Sequence, residues 1–172
     1  MPKRPQILDF SKIDLDHVVA DIETIRRYNR QRHEMEQLTA IVYEDRDRHI
    51  CVGYKDLRPD EFWVRGHMPG MPLMPGVLMC EAAAQMASYY NMRYRVMDVD
   101  VLGFGGLEQV RFRGLVRPGD RLVIMAQMLK VRRLMLTCEF QGYVRQNPVC
   151  EGILKGIPLP LDQLTGDGSE KT

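Results

Sequence analysis

In the second half of the chain, apolar and polar residues take turns. Leu134, Leu136, Cys138, Phe140 and Val144 alternate with Thr137, Glu139, Gln141 and Arg145, the period of a half-buried antiparallel strand. Residues 121–131 and 149–157 read as strands on either side, bounded by turns at Pro118-Gly119-Asp120 and Gln146-Asn147-Pro148. Residues 99–116 predict one or two strands, with Gly103, Gly105 and Gly106 as bulge or bend points. Nearer the start, residues 37–43 and 48–54 read as short strands around Glu44-Asp45-Arg46-Asp47, and Phe62-Trp63-Val64 as a further extended run.

Two stretches follow helical spacing instead. In residues 13–30, Val18, Val19, Ile22, Ile25 and Tyr28 recur at three- and four-residue intervals with charges between them. Residues 77–94 predict a longer helix, and almost every position before Asn91 is apolar or small. A helix apolar on nearly all faces must be wrapped by other structure. Strands joined by short turns pair antiparallel, so the expected class is α+β, with a curved antiparallel sheet rolled around the long helix. Residues 13–161 are expected to form one domain that includes the first helix. Residues 1–12 are expected to be loose, and residues 162–172 to form a flexible tail.

Composition narrows the function classes. At 172 residues the chain is long enough to bury a core without metal or disulfide, about 70% of its unfolded surface. Lys and Arg total 24 against 23 Asp and Glu, and the signs are interspersed, so a nucleic-acid partner is not expected. Cys51, Cys80, Cys138 and Cys150 lack the spacing of a zinc site, and reduced, buried thiols are the expectation. No apolar run reaches signal-peptide or membrane-span length, so a cytoplasmic protein without membrane insertion is expected.

The chemistry concentrates in residues 65–87, RGHMPGMPLMPGVLMCEAAAQMA. Three prolines and three glycines in residues 66–76 exclude helix or central strand and place His67 in a rigid loop. Glu81 is the only acidic residue between Glu61 and Asp98, and Gln85 shares its helix face four residues on. Imidazole is suited to act as a base near neutral pH. A carboxyl group in apolar surroundings can be poised for proton transfer. The helix start at Gly76 offers free N–H groups to a developing oxyanion. Base, acid and oxyanion donor are what proton abstraction beside a carbonyl requires. The competing reading is a structural loop histidine and a solvent-facing helix glutamate favoured by the dipole.

The string GHMPGMPLMPGVLMCEAAAQ resembles the GHFPGxPxMPGVLxxEAxAQ-like signature of FabZ-type 3-hydroxyacyl-[acyl-carrier-protein] dehydratases, including the interval from His67 to Glu81. VRFRGLVRPGDRL is similar to a later segment of that family, and the likeness extends over residues 32–154. The resemblance implies a hot-dog fold and a homodimer, with three dimers often forming a hexamer. It implies active sites at the dimer interface that pair histidine from one chain with glutamate from the other. It implies that His67 removes a proton from C2 of a 3-hydroxyacyl thioester. Glu81, helped by Gln85, then protonates or orients the leaving hydroxyl, and the Gly76 N–H holds the thioester carbonyl. Val77 lines the site, the substrate arrives on acyl carrier protein, and no bound cofactor is needed. Met79, Ala83 and Met86 are candidates for an acyl tunnel, with core as the competing role.

The chain also departs from that pattern. A Pro-His-Arg-Phe-Pro-like element is replaced by residues 30–35, and Met68 stands where an aromatic follows the histidine. By spacing, Gly103 falls where some members carry a tunnel-gating tyrosine. A related type that also isomerises the double bond carries aspartate at the place of Glu81, so dehydration alone is expected. A hot-dog thioesterase, or a non-catalytic acyl-thioester-binding homologue from a secondary pathway, is the alternative. Gly103-Phe104-Gly105-Gly106 does not satisfy a dinucleotide-binding loop, because strand follows it rather than helix. His17, His33 and His49 have no ligand spacing. Arg111, Arg113, Arg117 and Arg121 make a basic cluster that is either a solvated face or a dock for an acidic carrier protein.

Overall fold

The computed structural model describes residues 4–160. The named elements are α1 (Ile22–Tyr28), β1 (Ala40–Asp45), β2 (Ile50–Asp56), α2 (Gly76–Tyr94), β3 (Val101–Phe112), β4 (Arg121–Arg132), β5 (Met135–Val144) and β6 (Asn147–Leu159). The strands form one antiparallel sheet in the order β1-β2-β4-β5-β6-β3, which leaves β3 on an edge. The sheet rolls around α2, which touches β2, β3, β4, β5 and β6. This is the expected α+β arrangement.

The burial pattern explains β4, whose central residues are apolar without alternation. Ile124, Ala126 and Met128 join the core around Ala82, Met86 and Tyr89 of α2. Val123 and Met125 point the other way, into a second apolar cluster with Val52, Tyr54 and Tyr143. A strand buried on both faces needs no polar face.

The cover for that second face is the N-terminal segment expected to be loose. Ile7 and Leu8 are buried there, and Phe10 packs edge-on against Tyr143 with ring centroids 5.1 Å apart. Gln141 of β5, which alternation places on the solvent side, is buried for the same reason. Its Oε1 accepts from the Ile7 N–H at 3.0 Å, and its Nε2 donates to the Pro5 carbonyl at 2.8 Å. The tail at residues 162–172 lies outside the described residues.

Three local expectations change. The helix expected over residues 13–30 shrinks to α1. The Val19 and Ala20 N–H groups donate to Ile41 O, and Ala20 O accepts from Ile41 N, so this backbone is used along the edge of β1. The helix starts where the Asp21 carboxylate caps the Thr24 N–H at 2.8 Å. The run Phe62-Trp63-Val64 is a turn rather than a strand. Val64 N–H bonds back to Glu61 O at 3.0 Å while the Trp63 side chain enters the core. The last hairpin turns at Arg145-Gln146, with φ of 49° and 64°, a two-residue turn of the twist that hairpins favour. Asn147 and Pro148 already pair with β5. The glycine run in β3 is a bulge: pairing with β6 slips between Phe104 and Gly106, where φ is 158°.

All four cysteines are buried and unbonded to one another. Burial pushes the Cys80 thiol up to about 11 and Cys150 up to about 12, and raises Cys51 and Cys138 as well. Two outcomes are expected. The native protein resists iodoacetamide at neutral pH, and alkylation of all four thiols requires denaturant. The folded state also holds these protons more tightly than the unfolded chain. Stability is therefore intact below the ordinary thiol value and falls as pH rises from about 9 through the raised values. Urea titrations between pH 8 and 11 check the second point, and a flat profile contradicts it.

Candidate active site

The loop that carries His67 is pinned by its own backbone. His67 N–H donates to Trp63 O at 2.8 Å, His67 O accepts from Leu73 N at 2.9 Å, and Met74 N–H donates to Val116 O at 2.8 Å. The buried Trp63 and Met74 side chains anchor the two ends of the loop. The peptide bond between His67 and Met68 is cis. His67 Nδ1 lies 2.8 Å from the Leu73 carbonyl oxygen. A carbonyl can only accept, so Nδ1 carries a hydrogen, and in the neutral ring Nε2 keeps the lone pair. The ring is exposed, and this tautomer suits a base that works through Nε2.

Helix α2 begins at Gly76 behind Pro75, whose extended backbone (φ −57°, ψ 133°) makes the N-cap without a side-chain hydrogen bond. A Cβ at Gly76 would lie 2.7 Å from the exposed Phe112 ring, so glycine here lets that ring lie against the helix start without being displaced. Val77 projects outward at 71% exposure.

Glu81 sits one turn further on, half-buried. Gln85 Nε2 donates to its Oε1 at 2.7 Å, the i,i+4 contact expected from spacing. Gln85 is only 2% exposed, and residues 29–37 hold both ends of its side-chain amide and its main-chain oxygen. Its Nε2 also donates to Met35 O at 2.6 Å, its Oε1 accepts from Gln37 N–H at 2.9 Å, and its main-chain oxygen accepts from Asn29 Nδ2 at 2.9 Å. Residues 30–35, which depart from the signature described above, together with Asn29 and Gln37 on either side, thus fix the partner of Glu81.

Glu81 opens onto a cavity of about 100 Å³, lined further by Gln31, Ala84, Ala87, Ser88, Leu102 and Leu136. Met79, Ala83 and Met86, the tunnel candidates, are instead buried in the core between α2 and the sheet. Continuing from Glu81 by three and seven residues finds Ala84 and Ser88, so the helical period was the available signal. Gln31 and Leu102 carried no such signal, because tertiary packing brings them in. At Gly103 any Cβ would come within 2.4 Å of the Leu159 side chain, which occupies that space.

Within one chain, His67 and Glu81 are not brought together. His67 does not line the cavity of Glu81, and no hydrogen bond joins them among the described residues. The arginine cluster is partly committed elsewhere. Arg113 is ion-paired with buried Glu151, while Arg121 grips Asp56 at 2.6 and 2.9 Å and lies over the Tyr54 ring. No helix among the described residues is long and apolar enough to cross a membrane.

Comparison with known proteins bears on the family and the fold. The sequence model of the FabA-like domain family matches residues 29–153. The chain is 36% identical over 108 residues to the 3-hydroxyacyl-[acyl-carrier-protein] dehydratase FabZ of Desulfotalea psychrophila, covering 60% of this chain and 70% of that protein. Against the enzyme of the same name from Clostridioides difficile it is 36% identical over 104 residues, covering 60% and 73%. It is also 36% identical over 138 residues to the bifunctional enzyme LpxC/FabZ of Chlorobaculum tepidum. That match covers 80% of this chain and spans 29% of the longer protein. Among solved structures, the dehydratase heterocomplex ApeI:P from Xenorhabdus doucetiae superposes with a TM-score of 0.68 at 16% identity, covering 83% and 97% of the two chains. The E. coli PaaI protein gives a TM-score of 0.54 at 14% identity, covering 68% and 80%. The shared architecture is the hot-dog fold.

Proposed function

The chain belongs to the FabA-like domain family, and on that membership we infer that it is a 3-hydroxyacyl-[acyl-carrier-protein] dehydratase of fatty acid biosynthesis. It is a hydro-lyase that removes water from a 3-hydroxyacyl thioester and leaves a trans-2-enoyl thioester.

The observation that carries the mechanism is the Leu73 carbonyl on His67 Nδ1, which leaves Nε2 as the basic nitrogen. Nε2 takes the proton from C2, and the electron pair released becomes the C2–C3 double bond. The C3–O bond breaks, and Glu81, oriented by Gln85, protonates or orients the departing hydroxyl as water. The Gly76 N–H at the start of α2 donates to the thioester carbonyl, where negative charge builds. Val77 lines the approach. The substrate arm comes on acyl carrier protein, and the chemistry calls for no bound cofactor.

A second copy of the chain completes the site in this reading. Strand β3 is a sheet edge, and Phe104, Leu107 and Phe112 along it are exposed, as is Val77 beside it. An unpaired apolar edge suits pairing with its own copy, and the homodimer then brings one chain's His67 to the other's Glu81. Association of three such dimers gives a hexamer. The four free, buried cysteines favour a reducing, cytoplasmic setting.

Hydration of enoyl thioesters, the reverse reaction, tests the activity. Hydration without free thiol supports it, whereas thiol release identifies a thioesterase and overturns it. Arg117 is exposed next to Val116, whose carbonyl anchors the His67 loop. Arg117→Glu is expected to lower kcat/KM for carrier-protein substrates while N-acetylcysteamine substrates are little changed. Equal losses on both substrate types contradict docking there.

A further inference from the structure

The cavity beside Glu81 does not run freely along α2. A second cavity of about 50 Å³ lies beyond it, lined by Tyr28, Arg30, Met92 and Asp100. Gln31, Ser88 and Leu102 line both cavities and stand between them. They come from three separate elements: the segment after α1, helix α2, and β3. Resting on the dehydratase reading above, we propose that Gln31, Ser88 and Leu102 form the end wall of the acyl site and restrict the enzyme to short-chain 3-hydroxyacyl thioesters.

With the reacting hydroxyl at Glu81, the acyl tail runs along the helix face toward Ser88, about 10 Å further along the axis. The first part of that path is lined by Ala84, Ala87, Leu136 and Leu154; Lys155 also borders it, with its ammonium group ion-paired to Glu108 at 3.3 Å. At its end an apolar tail meets the Gln31 carboxamide and the Ser88 hydroxyl. A longer tail must displace these groups and then lie against the charged Arg30 and Asp100, which costs them solvation that a hydrocarbon cannot replace. Leu102 does not move aside easily. It sits on the β3–β6 ladder, and its side chain packs so closely on Gly156 that a Cβ there would lie 2.9 Å from Leu102 Cδ1. The space above Gly103 gives no alternative exit, because Leu159 occupies it.

The test compares hydration of crotonyl-, hexenoyl- and decenoyl-pantetheine, together with calorimetric binding of the unreactive butyryl- and decanoyl-pantetheine. The wild type is expected to favour crotonyl over decenoyl by at least ~10-fold in kcat/KM, and butyryl over decanoyl in binding. Ser88→Gly and, as an independent opening of the same wall, Leu102→Ala should each move the decenoyl-to-crotonyl ratio upward by about tenfold. Equal handling of short and long chains by the wild type overturns the proposal. So does a ratio that neither variant moves. If nothing is hydrated, the dehydratase reading falls, and the binding ratio by itself upholds or overturns the wall.

Discussion

Glu81→Gln and His67→Ala each lower hydration of a short enoyl thioester by about 10²–10⁴-fold, the range for removing a positioned general acid or base. The two substitutions leave the core alone: His67 is exposed, and Gln at position 81 keeps the volume and a hydrogen-bonding end group. Near-native melting curves are therefore expected alongside the loss. Because His67 and Glu81 do not meet within one chain, the variants carry a second signature. Unfolded together and refolded as a mixture, they form some dimers in which one site holds both wild-type residues. The mixture should regain a substantial fraction of wild-type activity, whereas either variant alone stays inactive. Full activity in either variant removes that residue from the mechanism. Absence of regain, with mixed dimers demonstrated, shows that the site is built within one chain.

The largest effect on stability is expected at Phe140. Its ring is fully buried in the core between β5 and α2, and it lies over Gly152 of β6, where a Cβ would sit 2.7 Å away. Glycine at 152 makes the space that the ring fills, so truncation leaves a void bounded by backbone that cannot collapse inward. Phe140→Ala is expected to cost about 3–5 kcal/mol, a large share of the 5–15 kcal/mol typical of a folded domain. Guanidinium titrations at one fixed protein concentration measure it, since association would otherwise contribute to the apparent stability. Phe140→Leu should lose clearly less. A loss for alanine below about 1 kcal/mol means that the sheet closes over the gap and the packing account is wrong.

Much of this fold was legible because the apolar patterns were long and consistent. The all-round apolar character of residues 77–94 announced a wrapped helix, and alternation through β5 announced the antiparallel sheet. What escaped were features decided by distant partners. Residues 13–21 have helical spacing, but the edge of β1 claims the backbone at Val19 and Ala20. Phe62-Trp63-Val64 has strand-forming residues, but Trp63 is drawn into the core as part of a turn. Gln141 reads as a surface residue until Ile7 and Leu8 cover it. The pairing of Glu81 with Gln85 was visible in four-residue spacing. The contributions of Gln31 and Leu102 to the cavity were not, because no local period relates them to Glu81.

The cradle around Gln85 bears on how this chain could change over time. Two of the three contacts that residues 29–37 make to it come from main-chain groups, the Met35 carbonyl and the Gln37 N–H. Only Asn29 contributes a side chain. A backbone contact survives most replacements of the side chain it belongs to, so long as the chain path is kept. The stretch from residue 30 to 35 could therefore drift away from its relatives' spelling while still holding the glutamine that holds the glutamate. For the hold on Gln85, substitutions there should be tolerated in inverse proportion to how much they bend the path, which makes proline or a deletion in this stretch far more damaging to the cradle than a change of side-chain chemistry; Gln31, which also faces the cavity, is the position where the side chain itself should matter.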